Sequence, residues 1–224
     1  MSSVSVAPPG NGLDRPGNSR PGRALLVLAH PRGDSLTAQI ADRAHGRLAT
    51  EGLAVDLLDL HAEGFDPRMT PADEPDWANR DKGYSAEVKA HMRRIDAADS
   101  IVVVFPIWWY APPAILKGWI DRVWNYGYAY GRSKPRFSGK RIIWIGLAGE
   151  PQEGFAEMDE LVDRYLRVAI SNYCGFGDVS VRLIFNTLAE GVAEESRADH
   201  LRNVFAPADG ALDDFFGSRA PVGV

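Results

Sequence analysis

The chain has a single cysteine, Cys174, so no internal disulfide can hold it together, and a reducing, cytoplasmic setting is expected. No uncharged apolar run approaches the roughly 20 residues of a bilayer-crossing helix, so membrane insertion is not expected. Positive charge is not in surplus either. With 25 Lys and Arg against 30 Asp and Glu, the formal charge of -5 offers no footprint for nucleic acid. The five histidines, His30, His45, His61, His91 and His200, are scattered without metal-ligand spacing, and there is no G-x-S-x-G nucleophile elbow. The G-x-G-x-x-G turn and the Gly-Lys-Ser/Thr phosphate loop are also missing, which disfavours the common nucleotide folds. A chain with neither nucleophile nor metal site borrows its chemistry from a bound group.

What remains is an ordinary globular composition, 45% hydrophobic and 25% charged, in 224 residues. That length suits one domain, which at this size buries roughly 70% of its surface. Residues 1–22 are rich in Ser, Pro and Gly and lack an apolar segment, so they read as a flexible tail and not a signal peptide. The domain is expected over residues 23–216, with a second tail over residues 217–224.

From Ala24 to Ala29 the residues are consecutively apolar, as in a strand covered on both faces. Leu36, Ile40, Ala44 and Leu48 then recur at helical spacing between Ser35 and Thr50, and Gly52 is the stop signal. A second strand over Leu53–Leu60 alternates imperfectly, which places it near a sheet edge. Three prolines and many charges make His61–Gly83 a long surface loop. Helices follow over Ser85–Asp99, Pro112–Trp124 and Phe155–Ser171, with a last one around Glu194 to Phe205. Strands follow over Ser100–Phe105, Arg141–Gly149 and Asp178–Phe185, the first of these being central. The alternation predicts an α/β fold, a doubly wound five-stranded parallel sheet with helices on both faces.

Such sheets bind ligands at the carboxyl ends of their strands, here on the loops "AHPRGDSLT", "FPIWWYAPP" and "LAGEPQEGF" after strands one, three and four. In the first loop Asp34, Ser35 and Thr37 can cap the next helix, or exposed amides and hydroxyls can hold a phosphate. The second loop carries Trp108, Trp109 and Tyr110, in a stretch holding four of the six tryptophans. These rings can plug the top of the sheet. Consecutive residues just past a strand cannot all face inward, however, so at least one ring flanks a pocket suited to a planar aromatic ligand. Gly149 in the third loop allows backbone to approach the edge of such a ring. A flavin meets these requirements, because it is planar, carries a phosphate and performs the electron transfer itself.

On these residues the chain resembles the flavodoxin-fold NAD(P)H:quinone oxidoreductase family, which includes ancillary reductases of bacterial potassium-efflux systems and modulators of drug activity. The likeness covers Arg23 to Phe185 and is strongest in "FPIWWYAPPAILKGWIDRVW", then in "AHPRGDSLT", with weaker support from "YAYG" and "NYCGF". It implies a flavodoxin-like fold, FAD (or alternatively FMN) as cofactor and NADPH or NADH as hydride donor. Two electrons would pass by a ping-pong mechanism to quinones or related aromatics, nitro and azo compounds included. His30, Ser35, Leu36 and Thr37 would surround the flavin phosphate or diphosphate. Pro106, Ile107, Trp108, Trp109 and Tyr110 would run along the isoalloxazine, and Gly149 and Glu150 would meet its pyrimidine side. The resemblance also implies a homodimer with the site at its interface, where Tyr128 and Tyr130 reach toward the neighbour's substrate pocket beside Trp109 and Phe155. The family's Tyr and His after strand four are replaced by Phe155 and no histidine, so no catalytic side chain is assigned. Two other readings stay open: a redox-sensing subunit peripherally bound to a membrane transporter, and a small electron carrier. The run "RSKPRFSGKR", with Arg132, Lys134, Arg136, Lys140 and Arg141, is either a solvated loop or a receiver of nucleotide phosphates. Cys174 is expected to pack as a small apolar group.

Overall fold

Consecutive apolar residues in a parallel strand need cover on both faces, and the computed structural model, which describes residues 22–152, 156–189 and 192–217, supplies it. The strands β1 (Arg23–Leu28), β2 (Ala54–Asp59), β3 (Ser100–Pro106), β4 (Arg141–Leu147) and β5 (Asp178–Ile184) form one sheet. Their order is β2-β1-β3-β4-β5 and every pair is parallel. β3 is central and buried throughout, while β2 lies at an edge.

Alternate strand residues feed two cores. Leu25, Val27, Val103 and Trp144 pack toward α2 (Ala86–Ala97), α3 (Ala114–Val123) and α4 (Ala156–Arg164). Leu26, Val102, Val104 and Ile143 pack toward α1 (Leu36–Thr50) and α5 (Arg197–Gly217). At about 1.5–3 kcal/mol for each fully buried large side chain, these two cores are the main stabilising contribution.

Two elements depart from the sequence reading. The last helix runs to Gly217, well past Phe205, because Val204, Ala208, Ala211, Leu212 and Phe215 continue a buried stripe across Pro207. Gly217 therefore ends α5 and is not tail, and residues 218–224 lie outside the described residues. The helix expected to continue to Ser171 changes at Tyr165 into a π-helical segment, Tyr165–Asn172. The wider turn seats Ser171, whose hydroxyl donates to the Leu166 carbonyl (2.7 Å) and accepts from Trp144 Nε1 (2.9 Å).

The loop from His61 to Gly83 is long, but it is tied down. Asp73 is fully buried and Arg122 of α3 nearly so. Arg122 Nη2 donates to Asp73 Oδ2 (2.7 Å) and Glu87 Oε2 (2.8 Å), and the Ser85 amide donates to Asp73 Oδ1 (2.8 Å). Close backbone contact completes the seat: a Cβ on Gly118 would come within 2.3 Å of the Pro67 carbonyl oxygen. Burial alone would raise the pKa of Asp73, but hydrogen bonds from Arg122 and Ser85 outweigh it and hold the carboxyl below its ordinary value. A depressed folded-state pKa gives stability that is present above the unfolded pKa of about 3.9 and lost as pH falls through the folded value. Asp73→Asn, which strands a buried guanidinium, should cost about 3 kcal/mol in urea denaturation at pH 7. Its stability should also fall less steeply than wild type below about pH 4.

Candidate active site

Between β1 and β3 the chain winding reverses, since α1 covers one face of the sheet and α3 the other. The loops leaving these strands diverge there and open a crevice at the carboxyl ends. One wall is the start of α1. Ser35 Oγ caps the helix by accepting from the Ala38 amide (3.1 Å), and the Ser35 carbonyl accepts from Gln39 (3.0 Å). The amides of Leu36 and Thr37 have no partner among the described residues. The cap thus leaves two free N–H groups at the positive end of a 15-residue helix, an environment that favours an anion. His30 stands beside it, its Nδ1 accepting the Arg32 amide (3.1 Å). Burial lowers its pKa more than the opposing contact of the same nitrogen with the Arg32 carbonyl (3.3 Å) raises it, which favours the neutral ring.

The second wall is the turn after β3. Ile107 still pairs with β4 through its amide on the Leu147 carbonyl (2.7 Å). Trp108 and Ala111 then exchange two backbone hydrogen bonds of 3.1 Å around Trp109 (φ 53°) and Tyr110 (φ 56°). Positive φ at both central residues defines a type I′ turn, normally filled by Asn-Gly. Holding two large L-residues there costs about 1–3 kcal/mol each. The turn thrusts Trp109 outward, 96% exposed, while Trp108 meets the His30 ring edge-on at 6.2 Å. The pair is therefore no core plug.

The third wall joins the loops after β4 and β5. Thr187 Oγ1 donates to the Ala148 carbonyl (2.9 Å), and the Asn186 amide to that of Glu150 (2.9 Å). Gly149 leaves room for Leu188, whose side chain would sit 2.9 Å from a Cβ at that position. Thr187 and Leu188 were not expected from the sequence. Their only signal is that β5 ends beside β4, on the same side as the other three loops.

These walls enclose two adjoining cavities. A cleft of about 500 Å³ brings together His30, Ser35, Leu36 and Thr37 with Pro106, Ile107, Trp108 and Trp109, and it also touches Gly149 and Glu150. Arg32 and Leu188, unexpected from sequence, line it too. A smaller apolar cavity of about 160 Å³ lies between Trp109, Tyr110 and α4 and shares Ile107, Trp109, Gly149 and Glu150 with the first. Met158, Asp159, Val162 and Phe185 line it, none of them expected.

Tyr128 and Tyr130 line neither of these cavities. Tyr128 is a core residue: its hydroxyl donates to the Met92 carbonyl (2.9 Å) and it touches neither cavity. Tyr130 lies in a separate groove with Trp77 and Tyr173. Phe155 lies outside the described residues. Four of the five cations of the basic run are already engaged: Arg132 pairs with Asp81 (2.6 Å), Arg136 with Asp96 (2.6 Å) and Arg141 with Asp178, and Lys140 caps the Asp96 carbonyl (3.1 Å). Burial pushes the Cys174 thiol up to about 12, in keeping with a packing role.

A family model described as flavodoxin-like fold matches residues 22–206. The chain belongs to the flavodoxin-like fold family. It is 42% identical over 193 residues to an uncharacterized NAD(P)H oxidoreductase of Escherichia coli, covering 85% of this chain and 97% of the relative. It is 32% identical over 188 residues to NAD(P)H dehydrogenase [quinone] 1 of Rattus norvegicus, covering 73% and 69% respectively. A solved structure of the general stress protein 14 of Treponema denticola in complex with FMN shares the fold, with TM-score 0.60, 22% identity and coverage of 86% and 99%.

The exposed turn makes a direct prediction about the free protein. Trp109→Gly removes a ring that packs on almost nothing and supplies the residue that positive φ prefers, so the unfolding free energy should rise by about 1 kcal/mol in urea titration.

Proposed function

We propose that the protein is a flavin-dependent NAD(P)H oxidoreductase that passes two electrons to quinones or related planar aromatics by a ping-pong route. The observation that carries this reading is the joining, in one crevice, of a helix N-terminus with two free amides to an apolar cavity walled by Trp109. The helix end suits the flavin phosphate, and the backbone from Pro106 to Tyr110 suits one side of the ring system, with Gly149 and Glu150 opposite. The E. coli and rat relatives, named for NAD(P)H and quinone chemistry, support the donor and acceptor classes. The FMN held by the T. denticola protein supports FMN ahead of FAD. Once bound, the flavin supplies hydride acceptance and donation. The chain's own contribution is to seat the phosphate, exclude water beside Val162, Leu183 and Phe185, and hold one planar ring at a time. A cavity of about 160 Å³ is small enough to suit one planar substrate at a time, which supports successive entry of donor and acceptor.

A homodimer belongs to the same proposal. Trp77 is 67% exposed and Tyr173 65%, and with Tyr126 and Tyr130 they form a linked aromatic surface, Trp77 to Tyr126 at 5.0 Å and Tyr130 to Tyr173 at 5.5 Å. Exposed patches of this kind are commonly covered by a partner.

The test is to reconstitute the purified protein with FMN and with FAD, identify the retained flavin by chromatography, and follow NADH and NADPH oxidation with menadione. Retained flavin and turnover of both substrates are expected, and a protein that shows no flavin absorbance after reconstitution overturns the reading. Trp109→Ala should weaken flavin retention or menadione turnover by about tenfold, the worth of one aromatic contact. Unchanged cofactor content and turnover would leave Trp109 without a role in the site.

A further inference from the structure

The two cavities differ in charge. The larger cleft is lined by Arg32 and by His30, whose neutral form is favoured, as well as by Glu150. The apolar cavity is lined by Glu150 and Asp159, and among the described residues no lysine, arginine or histidine lines it. Asp159 is partly buried in the first turn of α4, and its Oδ2 accepts from Gln152 Nε2 at 2.7 Å. Glu150 borders both cavities, and its carbonyl is held by the Asn186 amide. The crevice thus has amide donors and Arg32 at the α1 end, and two acidic residues with no cation among the lining of the smaller cavity.

We propose that this acidic rim selects the acceptor: neutral and cationic planar rings are taken, and rings bearing a sulfonate or carboxylate are rejected. The proposal rests on the oxidoreductase reading above and narrows its substrate class. The physical basis is like-charge repulsion across walls of low polarity. Val162, Leu183 and Phe185 offer an anionic substituent no hydrogen-bond donor in exchange for its lost water, and Glu150 and Asp159 repel it. Because both acids keep contact with solvent, the effect is modest, about tenfold at low ionic strength, and fades as the Debye length shrinks to about 3 Å at 1 M salt. Asp159 also stabilises the start of α4 electrostatically, a role that affects folding but does not distinguish one acceptor from another.

The experiment compares 1,4-naphthoquinone with 1,4-naphthoquinone-2-sulfonate on the flavin-loaded protein, at 20 mM and 1 M sodium chloride. Changes in the kcat/KM ratio between salts and between variants cancel the intrinsic reactivity of each quinone. The neutral-to-sulfonate preference of the wild type should drop about tenfold at high salt. At low salt it should drop by a similar factor in Glu150→Gln/Asp159→Asn, and by a smaller one in Asp159→Asn alone, with flavin content measured for each. A second readout needs no turnover: quenching of tryptophan fluorescence should show 2-naphthamide binding about tenfold tighter than 2-naphthalenesulfonate, and the double variant should lose that gap. A protein that holds flavin and reduces the neutral quinone, yet shows ratios unmoved by salt and by substitution, overturns this inference alone. Absence of flavin, or of turnover with either quinone, overturns the oxidoreductase reading instead.

Discussion

A parallel sheet buried on both faces exposes little more than the ends of its strands, and the rest of this molecule follows from that constraint. β3 is buried at every position, and the strand residues of β1, β3 and β4 are divided between two helical layers. The faces of these central strands are used for stability, which leaves the loops at the carboxyl edge for chemistry. The reversal of winding between β1 and β3 then decides where those loops part. A helix start, a strained turn and a glycine-bearing loop meet there because the sheet order brings β1, β3 and β4 side by side.

The same economy governs the polar interior. Arg122 and Asp73 are desolvated together, and their pairing is what lets 23 residues without regular structure, from His61 to Gly83, lie ordered along α3. Buried pairs of this kind add little net stability over apolar replacements, but losing one partner is severe, so their value lies in fixing one arrangement. Here that arrangement carries Trp77 to Tyr126 and Tyr130, far along the chain from the strand that the loop leaves. At the crevice the opposite balance holds. The turn keeps an unfavourable backbone conformation at Trp109 and Tyr110 while Trp109 is 96% exposed and contributes little packing, a pattern more readily explained by binding than by folding.

Much of this was legible in the residues. Consecutive apolar runs revealed β1 and β3, the spacing of Leu36, Ile40, Ala44 and Leu48 revealed α1, and the alternation of elements revealed the sheet and hence three of the four loops that build the crevice. The misses share a cause. Arg132, Arg136 and Arg141 looked like free cations because their acids, Asp81, Asp96 and Asp178, lie 37 to 51 residues away. Tyr128 resembled a pocket residue because a motif gives position along the chain and not the direction of a side chain, which here points to Met92. Leu188 carried no local mark, and the positive φ angles at Trp109 and Tyr110 were invisible because neither residue type announces them.

The sequence by itself determined the elements, their order, and the strand ends where a ligand could lie, because hydrophobic periodicity and helix signals act over a few neighbours. Only the tertiary structure decided which polar groups are already spent and which remain free. It pairs the basic loop with distant acids, sets Trp108 against His30, brings Leu188 beside Gly149, and places Glu150 and Asp159 around one apolar cavity. Those outcomes depend on contacts between segments far apart in the chain, and no local pattern encodes them.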